Sequence, residues 1–340
     1  MIRFLLAGLL AGLLLAGLAC GGGTDVNEPA ESAASPPGAH IRARIRVLGT
    51  AQDGGFPHAA CDCRRCSLAQ SDADLRRYVA SLAIIVPPEV YLVDATPDVR
   101  EQLAALRDVR HPPDAAQGGG VDRAPVDGIF LTHAHIGHYL GLAFFGFEAV
   151  HTRDLPVYGT ASMAEFLAGN GPWDQLLRLG NIRTVTVTPG GEGVDLGQGI
   201  TVQAIAVPHR HEYTDTVGYQ IRGPNSTVLY IPDCDPWHAW GPEYPSLGAL
   251  LDGVDVALLD GSFYSGDELP GRDLTKIGHP LISDSMERLE GLREAQPARQ
   301  RIYFTHFNHS NPVLDPESPA RSQVEARGYH IADDGLEFPL

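Results

Sequence analysis

The sequence predicts an α/β layered sandwich. First, Ile41, Ala43, Ile45 and Val47 alternate with Arg42, Arg44 and Arg46, the period of two that marks a half-buried strand. Second, short apolar runs bounded by turn residues recur from residue 81 to residue 304. Third, segments with helical spacing fall between those runs, and many strands with helices at intervals form layered α/β cores. The composition agrees: 340 residues with 44% hydrophobic and 20% charged side chains are globular, enough for one large domain or two ordinary ones. Set against 25 basic side chains, 42 acidic ones leave a net charge of −17, which repels phosphate backbones and disfavours a large nucleic-acid substrate.

Taken in order, the chain opens with Met1-Ile2-Arg3 and an uncharged apolar stretch, Phe4 to Leu18. That stretch falls short of the roughly 20 residues of a membrane span and reads as an export signal. Ala19 precedes Cys20, and Gly21-Gly22-Gly23 follows, which resembles a bacterial lipoprotein signal. The resemblance implies that residues 1–19 are removed, that Cys20 carries the lipid, and that the protein is exported and anchored to the cell envelope by that lipid alone. An ordinary cleaved signal with an incidental cysteine is the alternative. Residues 20–40 are Gly, Ser, Pro, Ala and acid, the composition of a flexible tether.

No linker divides residues 41–340, which are expected to form one domain. After the first strand, strands are expected at Ser81–Val86, Val90–Val93, Gly128–Leu131, Pro156–Tyr158, Thr184–Val187, Val202–Val207, Thr227–Ile231, Val254–Leu259 and Ile302–Phe304. Helices are expected at Asp98–Leu106, Ala161–Leu167, Trp173–Leu179, Ser283–Leu292 and Ser318–Arg327. The stretch Asp108–Asp122 is polar and rich in Gly and Pro, a surface loop.

Histidines gather where metal ligands would. An apolar strand ends at Thr132, and His133, His135 and His138 follow within six residues. His133 and His135 can converge on one ion from an extended turn, neutral imidazole being a good zinc ligand at about 2.0–2.1 Å. Other potential ligands also stand just after strands: Asp94, His209 with His211, Asp233 and His306. Cys61, Cys63 and Cys66 form C-x-C-x-x-C, three thiolates that suit a closed tetrahedral zinc needing one more donor, with His309 as the candidate. A redox or disulfide role is the competing reading in an exported protein.

Together these segments resemble the metallo-β-lactamase superfamily across residues 44–340. The resemblance implies an αββα sandwich with a metal site at one edge, in which His133, His135 and His209 hold one zinc ion. It further implies that Asp233 bridges, that His138 and His306 serve a second metal, and that Asp94 orients the site. One position departs: where the family's second motif reads His-x-His-x-Asp-His, this chain has Gly137, so an oxygen ligand of the second metal is expected to be missing. The cysteine cluster with His309 resembles the structural zinc of the phosphonate-pathway cyclic phosphodiesterase and its relatives. Val47-Leu48-Gly49-Thr50-Ala51, Gly54-Gly55-Phe56-Pro57, Asp94-Ala95-Thr96-Pro97-Asp98, Asp260-Gly261-Ser262-Phe263-Tyr264, Gly278-His279-Pro280 and Asn311-Pro312-Val313-Leu314-Asp315 look like the pyrroloquinoline quinone biosynthesis protein B family.

A three-histidine zinc site lowers the pKa of bound water to about 7. The expected activity is therefore attack of metal-bound hydroxide on a small ester or phosphodiester, with Asp233 orienting the water and His279 as general acid. Alternatives are a metal-dependent oxidation related to the quinone cofactor, or a binding lipoprotein that holds a ligand without turnover. Trp173, Trp237 and Trp240 are expected in the core or at its rim, with Trp237 a possible pocket residue.

Overall fold

The computed structural model describes residues 42–110, 120–268, 271, 278–295 and 300–340. The signal, Cys20 and the tether lie outside them, as do residues 111–119 of the expected surface loop. Residues 41–340 form a single compact unit.

The first sheet is built from β1 (Arg44–Gly49), β2 (Ser81–Val86), β3 (Glu89–Val93), β4 (Gly128–Phe130), β5 (Leu155–Gly159), β6 (Ile182–Thr186) and, from the C terminus, β14 (Glu337–Pro339). Its order is β14-β1-β2-β3-β4-β5-β6, antiparallel as far as β3 and parallel beyond it. The second sheet contains β7 (Val194–Asp195), β8 (Thr201–Val207), β9 (Thr216–Arg222), β10 (Thr227–Ile231), β11 (Val256–Asp260), β12 (Arg301–Thr305) and β13 (His330–Ile331). Its order is β13-β12-β11-β10-β9-β8-β7, again antiparallel at one end (β7 to β10) and parallel at the other (β10 to β13).

Alternation along the strands explains the layering, since successive side chains point to opposite faces. Leu82, Ile84 and Val86 of β2 pack with Val228 and Tyr230 of β10 and with Val256 and Leu258 of β11, in the space between the sheets. Ala83 and Ile85, the intervening residues, face helices α2 (Val99–Ala104), α4 (Ala161–Gly169) and α5 (Trp173–Arg178) through Val99, Met163, Leu167 and Leu176. Across the molecule, Leu229, Ile231, Ala257 and Leu259 face α6 (Leu247–Leu251), α7 (Ile282–Ala295) and α8 (Pro319–Ala326) through Leu250, Met286, Leu289 and Val324. The result is helix, sheet, sheet, helix. Strands buried on both faces read as continuous apolar runs, which is why β2, β10 and β11 are legible in the sequence. Truncating such a residue, as in Ile85→Ala, removes a fully buried side chain and costs about 2–5 kcal/mol.

Three short helices were not expected from periodicity: α1 (Arg64–Ser71), which carries Cys66, α3 (Ile136–Tyr139), which carries His138, and α6. Trp237 is a core residue whose indole N–H donates to Ser285 Oγ at 2.7 Å; it lines a depression with Trp240 and Tyr244 and not the groove at His135.

Candidate metal centre

The C-terminal ends of strands from both sheets meet at one edge. Asp94 follows β3, His133 to His138 follow β4, His209 follows β8, Asp233 follows β10, Asp260 ends β11 and His306 follows β12. Asp94 and His306 sit in the left-handed region, at φ 68° and 62°, a conformation that costs of order 1–3 kcal/mol and clusters at functional sites.

Asp233 lies at the centre. Its Oδ2 is 3.4 Å from His133 Nε2 and 3.9 Å from each of His135 Nδ1, His138 Nε2 and His306 Nε2. Its Oδ1 is 3.1 Å from His209 Nε2 and 3.1 Å from His279 Nδ1. His133 Nε2 and His135 Nδ1 approach to 2.8 Å. Donor atoms of His133, His135, His209 and Asp233 lie within 4.8 Å of one another, as do those of Asp233, Asp260, His279 and His306. His211 is exposed and joins neither group, whereas His209 lies in the first.

Several of these atoms are buried without a hydrogen bond: His138 Nε2, both nitrogens of His209, Asp233 Oδ1 and His306 Nε2. His209 Nε2 faces Asp233 Oδ1 across 3.1 Å but off the hydrogen-bonding direction. Buried polar atoms are ordinarily paired, and converging imidazole and carboxylate lone pairs are what a divalent cation satisfies. The donor set therefore fits zinc.

The nitrogens turned away from the centre are held. His138 Nδ1 is 2.7 Å from Asp94 Oδ2, and Asp94 also accepts from Thr132 N and Oγ1 at 2.8 and 3.0 Å. His306 Nδ1 meets Ser262 Oγ at 2.9 Å, and Ser262 Oγ donates to Asp260 Oδ1 at 2.8 Å. His135 Nε2 is 3.0 Å from Glu212 Oε2. Such partners fix imidazole orientation and tautomer. Glu212 and Gln52, whose amide nitrogen is 3.3 Å from His279 Nε2, were not anticipated. Each is remote in sequence from the histidine it meets, and no local pattern announces it.

Charge follows the geometry. Burial alone would raise Asp233, but His279, His209 and His306 outweigh it and hold the carboxyl well below the usual range. Burial pushes His133 and His306 well below the ordinary imidazole value. His279 is pulled the other way: burial lowers it, but Asp260 and Asp233 prevail and raise it well above that value.

The position at 137 holds a surprise. A Cβ on Gly137 would lie 2.1 Å from Oδ1 of Asp53, so that carboxylate, delivered from the loop after β1, fills the space where the motif's aspartate was expected.

The cysteine cluster is separate. Sγ atoms of Cys61, Cys63 and Cys66 lie 3.5, 3.8 and 3.7 Å from His309 Nδ1. A tetrahedron with Zn–S bonds of about 2.3 Å and a Zn–N bond of about 2.0 Å has an S–N edge of roughly 3.6 Å. All four described cysteines are free thiols, and the spacing of this cluster matches a tetrahedral metal site. Burial pushes the Cys66 thiol up to about 12, while backbone N–H donors and Cys61 bring Cys63 down against its own burial. His58, which the sequence left unassigned, packs its ring 4.5 Å from that of His309 and donates its backbone N–H to Cys66 Sγ at 3.3 Å.

Comparison with known proteins agrees with this architecture. The model of the beta-lactamase superfamily domain matches residues 90–307. The coenzyme PQQ synthesis protein B of Cupriavidus necator is 30% identical over 87% of this chain and 99% of its own length, and that of Cupriavidus taiwanensis is 32% identical over the same shares. Among solved structures, zinc-bound PqqB from Methylobacterium extorquens superposes with a TM-score of 0.71 at 26% identity, covering 87% of this chain and all of the other. A diphosphatase of the PhnP family, at 24% identity and a TM-score of 0.60 over 88% and 98% of the two chains, shares the fold.

Proposed function

The chain belongs to the beta-lactamase superfamily and is a homologue of coenzyme PQQ synthesis protein B, and from that premise we propose that it is a metal-dependent hydrolase of small anionic esters, phosphodiesters foremost. The observation that carries the reading is the ring of six imidazoles around Asp233, several of whose inward atoms are buried and unpaired. His133, His135, His209 and Asp233 would hold one ion; Asp233, His138 and His306 would contribute to a second. When bound, zinc acts as a Lewis acid and brings the pKa of water to about 7.

The protein's own residues do the rest. Asp94, Ser262 and Glu212 hold His138, His306 and His135 in orientation. His279, between Asp260 and Asp233 at 3.0 and 3.1 Å, keeps a proton at the rim of the centre and donates it to the departing oxygen. Substrate enters a groove of about 350 Å³ that reaches the centre at His135 and is lined by Phe166, Trp173, Arg210 and Tyr213. Arg210 supplies a cation for a negatively charged substrate group, and the rings supply an apolar wall. A charge of −17 keeps large polyanions out while leaving a small anion this local contact.

From residues 1–20 we propose that the protein is exported and held at the envelope by lipid on Cys20, so its substrate is a small molecule of that compartment. A second reading, metal-dependent oxidation of a peptide-derived cofactor precursor, is favoured by similarity to PQQ synthesis protein B over almost its entire length. The test is His279→Ala against a panel of phosphodiesters and carboxylic esters. The hydrolase reading expects kcat about 10²–10⁴-fold lower with metal content unchanged. An unaffected rate removes His279 from the chemistry.

A further inference from the structure

We propose that Asp53 is the carboxylate ligand of the second metal position, replacing from the far side the aspartate that Gly137 lacks. The inference rests on the metal-centre reading above and adds to it a ligand that no local motif contains.

Occupancy is the first argument. A Cβ at residue 137 would fall 2.1 Å from Asp53 Oδ1 and 3.0 Å from both its Cα and Cγ. Any side chain at 137 and the present placement of Asp53 are therefore mutually exclusive. Gly137 lies within helix α3 and not at positive φ, so backbone conformation does not require glycine there. A glycine inside a helix costs about 1 kcal/mol relative to alanine, and the carboxylate occupying its missing side-chain volume accounts for it.

Unmet valence is the second. Asp53 Oδ1, His138 Nε2 and His306 Nε2 are each buried without a hydrogen-bond partner. They lie within 4.8 Å of one another, with Asp53 Oδ1 3.7 Å from His138 Nε2. Leaving a buried carboxylate oxygen unpaired costs the full desolvation penalty, and a shared cation removes it for all three atoms together.

Delivery is the third. The loop that carries Asp53 is clamped to the segment that carries His306. Phe307 N donates to Thr50 O at 2.8 Å and Gln52 N donates to Phe307 O at 2.9 Å. Asn308 Nδ2 also donates to Gln52 Oε1 at 2.6 Å. Asp53 and His306 are thus set side by side by backbone hydrogen bonds, while Asp94 aims His138 at both. The second position then has two imidazoles and two carboxylates, Asp53 and Asp233, and recovers the oxygen donor that its motif lacks.

The experiment is zinc stoichiometry by elemental mass spectrometry after gel filtration, on the native chain, on Asp53→Asn and on the exchange Asp53→Gly with Gly137→Asp. The native chain is expected to hold about three ions, Asp53→Asn about two, and the exchange about three again. The ion at the cysteine site reports that each variant is folded. Equal counts in the native chain and Asp53→Asn, with equal zinc affinity, overturn the role of Asp53 and leave the centre standing. A native chain with only one ion outside the cysteine site overturns the second position itself. A native chain with none there overturns the metal-centre reading as well.

Discussion

At the scale of the residue, the centre depends on side chains that touch no substrate. Asp94 is fully buried, and through His138 Nδ1 it pushes that imidazole up to about 9 against the effect of burial. Removing one partner of a buried charged pair strands the other, at about 3–5 kcal/mol. Asp94→Ala should therefore unfold at lower denaturant by that order and lose about 10–100-fold in zinc affinity, since it orients a ligand. Denaturant titration and zinc competition measure the two effects; a variant with native affinity would make Asp94 a packing residue only. His133, His135 and His138 were legible in the sequence because they follow one strand within six residues. Asp53 was not, because a single aspartate in the glycine-rich loop Gly49–Gly55 carries no signal until folding brings it against Gly137. The missing oxygen donor inferred from Gly137 is a statement about the motif alone; under the Asp53 proposal the fold supplies that donor from a different loop.

At the scale of the element, strands that read as continuous apolar runs, such as β2, β10 and β11, were legible, while β9 and the shortest strands were missed. β9, inside its sheet, was overlooked although it carries a period of two: Val217, Tyr219 and Ile221 alternate with Thr216, Gly218, Gln220 and Arg222, and the two-sided burial of the strand hides which face that alternation serves. β7 and β13 are two residues long, below the reach of any pattern. Helix α1 lacks periodicity because its inner face is Cys66 and Ala69, and the cysteine cluster rather than a broad apolar stripe fastens it. Its stability is therefore tied to metal: a ligand held at a thousand times its Kd stabilises by about 4 kcal/mol. Cys63→Ser should lower Tm and abolish the further loss of Tm that chelator causes at this site. A variant as stable as the native chain, with its zinc count undiminished, would contradict a structural ion there.

At the scale of the molecule, two sheets of matching topology pool their strand ends at one edge, where open α/β sheets place ligand sites. That convergence was implied by family resemblance, whereas the pairing of particular residues across the two sheets came only with the fold. Among the described residues no helix is long and apolar enough to cross a membrane. In the proposed account attachment rests on Cys20, and Cys20→Ser should move the chain from the membrane fraction to the soluble one; an unchanged distribution would refute lipid anchoring. The central claim is that metal at the Asp233 centre drives hydrolysis, and its most direct test is the rate of phosphodiester cleavage by the native chain, stripped of metal and then titrated with zinc. The account predicts no turnover in the stripped chain and recovery as zinc refills the histidine centre. A fully loaded chain that cleaves neither phosphodiesters nor other esters would contradict it and leave a metal-dependent binding protein or an oxidation catalyst in its place.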